Sequence, residues 1–457
     1  MKKFSKGLVA CAVAATLTIP MTAMATNGYF AHGYGTKNKA LAGGGSALPQ
    51  DAMIAATNPA GMVTVGDRMD LGVALFSPTP RSYSATADGA GNTDGTVCGA
   101  NCPFTIGGNA TAQSIDSDND IFLIPHFARN WMLNADSSVG LSVYGNGGMN
   151  TEYKGGQAQH NNGAGTAVTT AGTFGGGTAG VNLEQLFITT TYSSKIDATS
   201  SWGASLIAVY QSFEAKGLGV FGGNSLYGTN VSDKGKDTST GFGAKFGWQG
   251  EVAKDITLAA SYQTKMSMSK FDKYKGLYAD QGSFDIPSTW TLGLAWNTSP
   301  KSTLTFDVQQ INYTDVAAIS NTINPLLTAC TPGAPATGAG CLGGSAGAGF
   351  GWEDMTIFKL GYQWTTSPDW TWRAGISQGD QPVPGSQTLF NILAPAVMET
   401  HITAGFTMKT GSDSEFNFAA MYAPSSSVTG KNPFNPSQNI TIEMTQLELE
   451  ASWGWKF

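Results

Sequence analysis

Apolar and polar residues alternate along the chain from residue 68 to the C-terminus. The alternation is clearest in residues 358–364 (FKLGYQW), 370–376 (WTWRAGI) and 447–457 (LELEASWGWKF). One parity carries Leu, Ile, Phe, Tyr, Trp or Ala, and the other carries mainly Lys, Arg, Glu, Gln, Ser or Gly. A period of two residues is that of a β-strand whose two faces meet different surroundings. The pattern therefore predicts an all-β fold with about fourteen strands.

Long and short connections alternate between these predicted strands. We place the strands at residues 68–77, 120–132, 137–147, 183–195, 201–213, 238–250, 255–266, 283–297, 301–312, 353–366, 369–378, 398–409, 413–424 and 440–457. Long loops on one rim and tight turns on the other are typical of a transmembrane antiparallel β-barrel whose termini lie in the periplasm. A soluble β-sandwich is the alternative, but it predicts neither this alternation nor the many aromatic residues at strand ends.

The first 25 residues have the composition of a signal peptide. Three lysines precede a short apolar stretch at residues 8–19, and Ala23-Met24-Ala25 supplies the small-residue pattern of a cleavage site. An N-terminal membrane anchor is the weaker alternative, because the stretch is short and broken by polar residues. No later run of 18 apolar residues predicts a membrane helix. Export leaves 22 basic against 32 acidic side chains, a net charge of −10, which argues against a nucleic-acid partner.

Four cysteines remain after the signal peptide, in two close pairs. Cys98 and Cys102 fall in the first long connection, and Cys330 and Cys341 fall in the fifth. Four cysteines permit three pairings, and the short spacings favour two local disulfides. A zinc site is the alternative, but no histidine lies near either pair in sequence, and an oxidising compartment favours disulfides.

The segment between the signal peptide and the first strand lacks the two-residue period. Residues 26–67 are rich in small residues and glycine, and they predict two short helices, the second ending before Pro59. Because a barrel of fourteen strands would otherwise enclose a water-filled pore, we expect this segment to plug the lumen as a hatch. A flexible periplasmic tail is the alternative. The predicted organisation is a signal peptide (1–25), a hatch (26–67) and a barrel with long outer loops (68–457).

These features resemble the FadL/TodX family of outer-membrane channels for long-chain fatty acids and hydrophobic hydrocarbons. Asn58-Pro59-Ala60 resembles the Asn-Pro-Ala motif of the family's hatch. The resemblance continues in order through residues 284–312, Gly351-Trp352-Glu353-Asp354, residues 370–375, Pro382-Val383-Pro384 and residues 401–405. It spans nearly the whole mature chain. The outer-loop cysteines and the long first and fifth loops depart from the family pattern.

The resemblance implies passive uptake of hydrophobic or amphipathic molecules across the outer membrane of a Gram-negative bacterium. Ligand would be captured among the outer loops, pass to a site in the lumen, and leave sideways at a kink in the third strand. Gly145, Gly147 and Gly148 fit that kink, because strand glycines often mark bulges; alternatively they begin the outer loop. We expect fatty acids as ligands. The alternatives are aromatic or alkane hydrocarbons, or a non-selective porin.

Strand parity identifies candidate ligand contacts on the inner face. Arg373 is the first choice for a carboxylate because arginine binds it in a bidentate manner, and Lys359 and Lys245 follow. Phe30 in the hatch is the fourth candidate. Alternatively, these lumen charges pair with each other or with the hatch, and an uncharged hydrocarbon would need no cation.

No catalytic, cofactor or metal site is predicted. The four histidines, His32, His126, His160 and His401, lie in no recognisable catalytic motif, and no phosphate-binding glycine motif is present. The partners expected are a small-molecule ligand, outer-membrane lipid and the outer-membrane insertion machinery.

Overall fold

The structure is a computed structural model that describes residues 26–87, 94–98, 102–108 and 111–457. The predicted signal peptide lies outside these ranges. The strands are β1 (Arg68–Ser77), β2 (Arg81–Ala85), β3 (Thr105–Ile106), β4 (Gln113–Asp116), β5 (Phe122–Asn134), β6 (Ser137–Asn150), β7 (Gln157–Asn161), β8 (Ala167–Ala171), β9 (Gly180–Lys195), β10 (Ser200–Lys216), β11 (Asp237–Ala253), β12 (Ile256–Gln263), β13 (Ser267–Met268), β14 (Thr289–Ser299), β15 (Ser302–Ile311), β16 (Met355–Ser367), β17 (Trp370–Gly379), β18 (Thr400–Lys409), β19 (Ser414–Asn432) and β20 (Asn435–Lys456).

The helices are all short. They are α1 (Thr36–Lys39), α2 (Ile54–Thr57), α3 (Ala279–Gly282), α4 (Ala317–Ser320), α5 (Asn324–Thr328) and α6 (Thr388–Asn391), with 3₁₀ turns at Pro59–Thr64, Gly219–Asn224, Gly228–Asn230, Asp272–Tyr274, Tyr313–Asp315 and Gly385–Gln387. Within the described ranges, no helix has both the length and the apolar character needed to cross a membrane.

Fourteen strands form a closed antiparallel barrel, which confirms the predicted fold class. They are β1, β5, β6, β9 to β12 and β14 to β20, each paired with its neighbour along the chain, and β1 pairs with β20 to close the barrel. Each overlaps the predicted segment at the same place in the sequence. The last hairpin is longer than predicted, because β19 and β20 continue past the rim, where β2 and β4 pair alongside them.

The alternation of residues matches the two faces of the wall. On the outer face, Leu206 in β10 is 74% exposed and Phe242 in β11 is 78% exposed, whereas their neighbour Ile207 points inward and is buried. Large apolar side chains that remain exposed around a barrel form the band that contacts lipid. The inner face is buried because the lumen is filled.

The N-terminal segment fills that lumen. None of residues 26–63 is exposed, and α1 packs against β18, β19 and β20, while the turn at Pro59–Thr64 packs against β9, β10 and β11. The segment therefore contacts opposite sides of the barrel wall. We call residues 26–66 the hatch.

The Asn-Pro-Ala motif holds the hatch against β9, β10 and β11. The Asn58 side chain accepts from the Ala60 amide at 3.1 Å and donates to the carbonyls of Ser46 (3.0 Å) and Trp248 (3.2 Å). The Ala60 carbonyl accepts from serine hydroxyls of β9 and β10 at 2.9 and 2.8 Å. Gly203 leaves room for this approach, since a Cβ there would lie 2.4 Å from Pro59.

Candidate ligand path through the barrel

An apolar cavity lies among the outer loops, and we call it the outer cavity. Its walls come from several connections that are far apart in sequence. Residues that define it include Leu218, Phe221, Tyr278, Leu342, Phe350 and Phe390. No charged side chain of the described residues lines it, so it suits a hydrocarbon chain or ring.

A disulfide-closed loop connects two walls of the outer cavity. Cys330 is bonded to Cys341, and Leu342 follows directly in the wall. On one side of the loop, the Leu342 amide donates to the carbonyl of Asn224 at 3.0 Å. On the other side, the Asp280 amide donates to the carbonyl of Gly344 at 3.2 Å. The second disulfide joins Cys98 to Cys102 and adds no residue to this wall.

Aromatic side chains from the hatch and the outer loops separate the outer cavity from the lumen. Tyr29 lies 5.6 Å from Tyr313 and 6.0 Å from Trp352, measured between ring centroids. Trp352 in turn contacts Phe350, which lines the outer cavity, at 5.8 Å. The candidate residue Phe30 packs edge-on to Tyr313 at 6.1 Å. A ligand leaving the outer cavity inward therefore meets these rings first.

A second cavity lies below the rings, and we call it the lumen cavity. Its lining is largely polar and includes Phe30, His32 and the two predicted lysines, Lys245 and Lys359. The Lys245 ammonium group donates to the carbonyl of Ala56, and Lys359 donates to the carbonyls of His32 (3.0 Å) and Gly43 (3.3 Å).

Neither lysine forms an ion pair among the described residues. Asp307 lies opposite Lys359 on the neighbouring strand, yet its carboxylate accepts instead from the backbone amides of Gly45 and Ser46, at 3.0 and 2.9 Å. Both ammonium groups are buried and have only backbone carbonyls as hydrogen-bond acceptors. A buried cation that no anion contacts directly is costly, so a ligand anion would find favourable partners here.

Arg373, the first choice from sequence, lies apart from the lumen cavity. Its guanidinium donates to the side chain of Gln50 at 2.9 and 2.6 Å and to the Thr407 hydroxyl at 2.8 Å. It is three residues from the short turn before β17, whereas Lys359 is eight residues before the same turn. Strand parity correctly placed Arg373 on the inner face, but parity does not give the depth of a residue in the barrel. That depth could have been obtained by counting residues from the turn. The role of Arg373 as a carboxylate contact stays a prediction; the observed contacts hold the hatch.

Buried ion pairs that strand parity does not predict fix the hatch to the last strand, β20. Lys39 of the hatch lies 2.6 Å from Glu448 and 2.6 Å from Glu450, both on β20. The Thr36 hydroxyl also donates to Glu450 at 2.8 Å. All three charged side chains are buried. The hatch lysine has no periodic signal in the sequence, so its partners could not be inferred.

A gap separates the outer halves of β5 and β6. Their pairing ends at His126 opposite Tyr144, and residues 122–125 of β5 pair with β1 alone. Beyond that point β6 pairs with β9 and, through a bridge between Gly147 and Phe30, with the hatch, and its register with β9 shifts at a bulge between Gly145 and Gly147. The predicted glycines therefore lie within the strand rather than at the start of the loop.

The hatch covers the inner side of this gap. The Ala31 amide donates to the Asn146 carbonyl at 2.9 Å, and the Gly148 amide donates to the Tyr29 carbonyl at 2.8 Å. Gly147 has a φ of 154°, and a Cβ there would lie 1.8 Å from the Tyr29 oxygen. A third cavity lies at the gap and shares Ala31 and Tyr34 with the lumen cavity.

Comparisons with known proteins agree with this architecture. A family model described as outer membrane protein transport protein (OMPP1/FadL/TodX) matches residues 12–450. The solved structure of a Pseudomonas aeruginosa FadL homologue has a TM-score of 0.65 at 15% identity, covering 94% of this chain and 100% of that one. The Pseudomonas putida toluene transporter TodX gives 0.58 at 17%, covering 94% and 100%. The Ralstonia pickettii toluene transporter TbuX gives 0.56 at 15%, covering 93% and 99%. A search of curated proteins finds no match.

Proposed function

The chain belongs to the outer membrane protein transport family (OMPP1/FadL/TodX), and from that premise we propose that this outer-membrane channel for hydrophobic molecules takes up long-chain fatty acids. The observation that carries the proposal is the pair of buried lysines in the lumen cavity, Lys245 and Lys359, which lack a carboxylate partner among the described residues. A fatty acid would supply that carboxylate, and its chain would occupy apolar surface.

The three cavities suggest the order of events. The outer cavity captures the apolar chain, and the rings of Tyr29, Tyr313 and Trp352 yield to admit it. The carboxylate then reaches the lysines beside Phe30. Because the lumen cavity and the gap between β5 and β6 share hatch residues, movement of the hatch N-terminus would join them and release ligand into outer-membrane lipid.

Uptake of aromatic hydrocarbons is the second candidate. The uncharged lining of the outer cavity favours it, and two of the similar structures are described as toluene transporters. Such a ligand would need the outer cavity and the gap but neither lysine. The filled lumen argues against a non-selective porin.

We further propose that the channel has no catalytic activity. The Ser377 hydroxyl lies 3.2 Å from Nδ1 of His401, but within the described residues Nε2 of that imidazole has no hydrogen-bond partner. A serine hydrolase needs a third group that orients its histidine. No set of three His, Cys, Asp or Glu side chains in the described ranges is placed to hold a metal ion. Strand β20, which closes the barrel against β1, is the proposed contact for the insertion machinery.

Replacing both lysines with glutamine tests the ligand class. In the Lys245→Gln/Lys359→Gln variant, we expect oleate to bind on the order of 10- to 100-fold more weakly, since a hydrogen bond to a charged group contributes about 1.5–3 kcal/mol. Toluene binding should not change. Exposed Lys301, in a periplasmic turn, gives the control Lys301→Gln.

Binding is measured on purified channel in detergent, and growth on oleate is measured in cells that lack their own fatty acid channel. Because both lysines also hold the hatch, single-channel conductance is recorded in parallel to exclude a leaking barrel. Unchanged oleate affinity, or equal losses for oleate and toluene, would contradict the fatty acid proposal. Growth on an aromatic hydrocarbon alone would favour the second candidate.

A further inference from the structure

His32, which lines the lumen cavity, stacks on His401 of β18, and both rings have hydrogen-bonding capacity that no described residue uses. The rings of His32 in the hatch and His401 in β18 lie 5.7 Å apart with an interplanar angle of 12°. Both side chains are completely buried. Within the described residues, neither ring nitrogen of His32 has a hydrogen-bond partner, and neither does Nε2 of His401.

His32 belongs to the same site as the buried lysines. It lines the lumen cavity, and its carbonyl accepts the hydrogen bond from Lys359 at 3.0 Å. Gln263 lines the same cavity, and its amide nitrogen also has no partner among the described residues. Burying a polar group without a partner costs about 1–3 kcal/mol. The two ring nitrogens of His32 and the amide nitrogen of Gln263, all on residues that line the lumen cavity, therefore suggest a site that a ligand completes.

The His32 imidazole is uncharged at neutral pH. Burial lowers the pKa of His32 well below its usual range, and the positive charges of Lys39 and Lys359 lower it further. A neutral imidazole has one N–H donor and one bare nitrogen that accepts. It therefore offers both kinds of hydrogen bond to an uncharged oxygen, which the lysines, as donors only, cannot do.

We propose that His32, together with Nε2 of His401, binds a hydroxyl or carbonyl oxygen at the polar end of the ligand, so that the channel also takes up long-chain alcohols and related oxygenated hydrocarbons. This deepens the proposed function and rests on it for the location of the polar end. The lysines recognise charge, and the histidines recognise an oxygen that donates or accepts a hydrogen bond.

The test compares three ligands of equal chain length: oleate, oleyl alcohol and 1-octadecene. His32→Phe keeps a planar ring for stacking but removes both nitrogens. We expect oleyl alcohol to bind about fivefold more weakly to this variant, as for one lost neutral hydrogen bond, while 1-octadecene binds as before. His32→Gln restores a donor and an acceptor and should recover most of the alcohol affinity. The control is His160→Phe in an outer loop, where both ring nitrogens already have partners.

The outcomes separate this inference from the fatty acid proposal. Normal oleate binding by the lysine variant would refute the carboxylate contact. The comparison of oleyl alcohol with 1-octadecene in His32→Phe would still test the histidine site. Equal effects of His32→Phe on alcohol and alkene, or no effect on the alcohol, would overturn the histidine site. If His32→Phe does not assemble, shown by a gel shift of unheated protein, His401→Phe gives the same comparison from the other ring.

Discussion

Replacing Lys39 with methionine should loosen the hatch and turn the channel into a leaking pore. The Lys39 ammonium lies 2.6 Å from carboxylate oxygens of both Glu448 and Glu450, and all three side chains are buried. Burial lowers the pKa of Lys39, but the two adjacent carboxylates outweigh it and raise the pKa above its usual range, so the group is charged. Methionine has nearly the same length and no charge.

The magnitude follows from what the substitution leaves behind. Removing one partner of a buried ion pair costs about 3–5 kcal/mol, because the remaining charge stays buried without compensation. Since about 1.4 kcal/mol is a tenfold change in an equilibrium, the undocked hatch should become roughly 10²- to 4 × 10³-fold more populated. Here two carboxylates remain together, so the effect should be larger at pH 8 than at pH 5, where protonation relieves their repulsion.

Single-channel recording in planar bilayers measures this opening as frequent steps of conductance. The control is Lys195→Met, because Lys195 at the end of β9 pairs with Asp136 at 3.4 Å and both side chains are exposed, and an exposed ion pair contributes about 0–1 kcal/mol. A triple variant that also carries Glu448→Gln and Glu450→Gln should close the pore again, since no buried charge is left unpaired. Wild-type conductance in Lys39→Met at pH 8 would refute the reasoning.

Two further predictions concern the gap and the outer cavity. Pro125 and Gly145 would lie opposite each other if the pairing of β5 with β6 continued beyond His126 and Tyr144. A disulfide between Pro125→Cys and Gly145→Cys should therefore abolish oleate uptake while oleate binding persists, and reduction should restore uptake. Uptake that survives cross-linking would exclude this exit. Removing the outer-cavity disulfide with Cys330→Ser and Cys341→Ser should weaken toluene binding several-fold, because a less preorganised wall binds more weakly. The same change at the other disulfide is the control, and equal losses in both variants would contradict the assignment.

The barrel could be predicted because its physical cause is local. Each residue of a strand faces lipid or lumen according to its parity, so the alternation appears in every strand. It can be recognised without knowing which strands pair with each other. The errors occur where tertiary contacts override parity. Residues 283–288 belong to a predicted strand, yet the structure begins β14 at Thr289, because Phe284 turns inward against Tyr29 and Tyr278.

The candidate site was predictable only in part, because its cations depend on the hatch. Parity placed Lys245, Lys359 and Arg373 on the inner face, as observed. It could not say that Arg373 would contact Gln50, or that the neutral ring of His32 would stack on His401. Those contacts join residues more than 300 positions apart, and one sequence carries no signal of such pairing.

The short helices of the hatch explain why the lumen needs these side chains. A helix of four residues leaves most of its backbone amides and carbonyls without intrahelical partners, and in a filled lumen the barrel must supply them. Lys245 and Lys359 bind hatch carbonyls, and Asp307 binds hatch amides. A ligand carboxylate that takes these ammonium groups therefore also weakens their hold on the carbonyls of Ala56 and His32. In the proposed function, ligand binding is therefore coupled, through the same two lysines, to loosening of the hatch, whose N-terminus covers the gap.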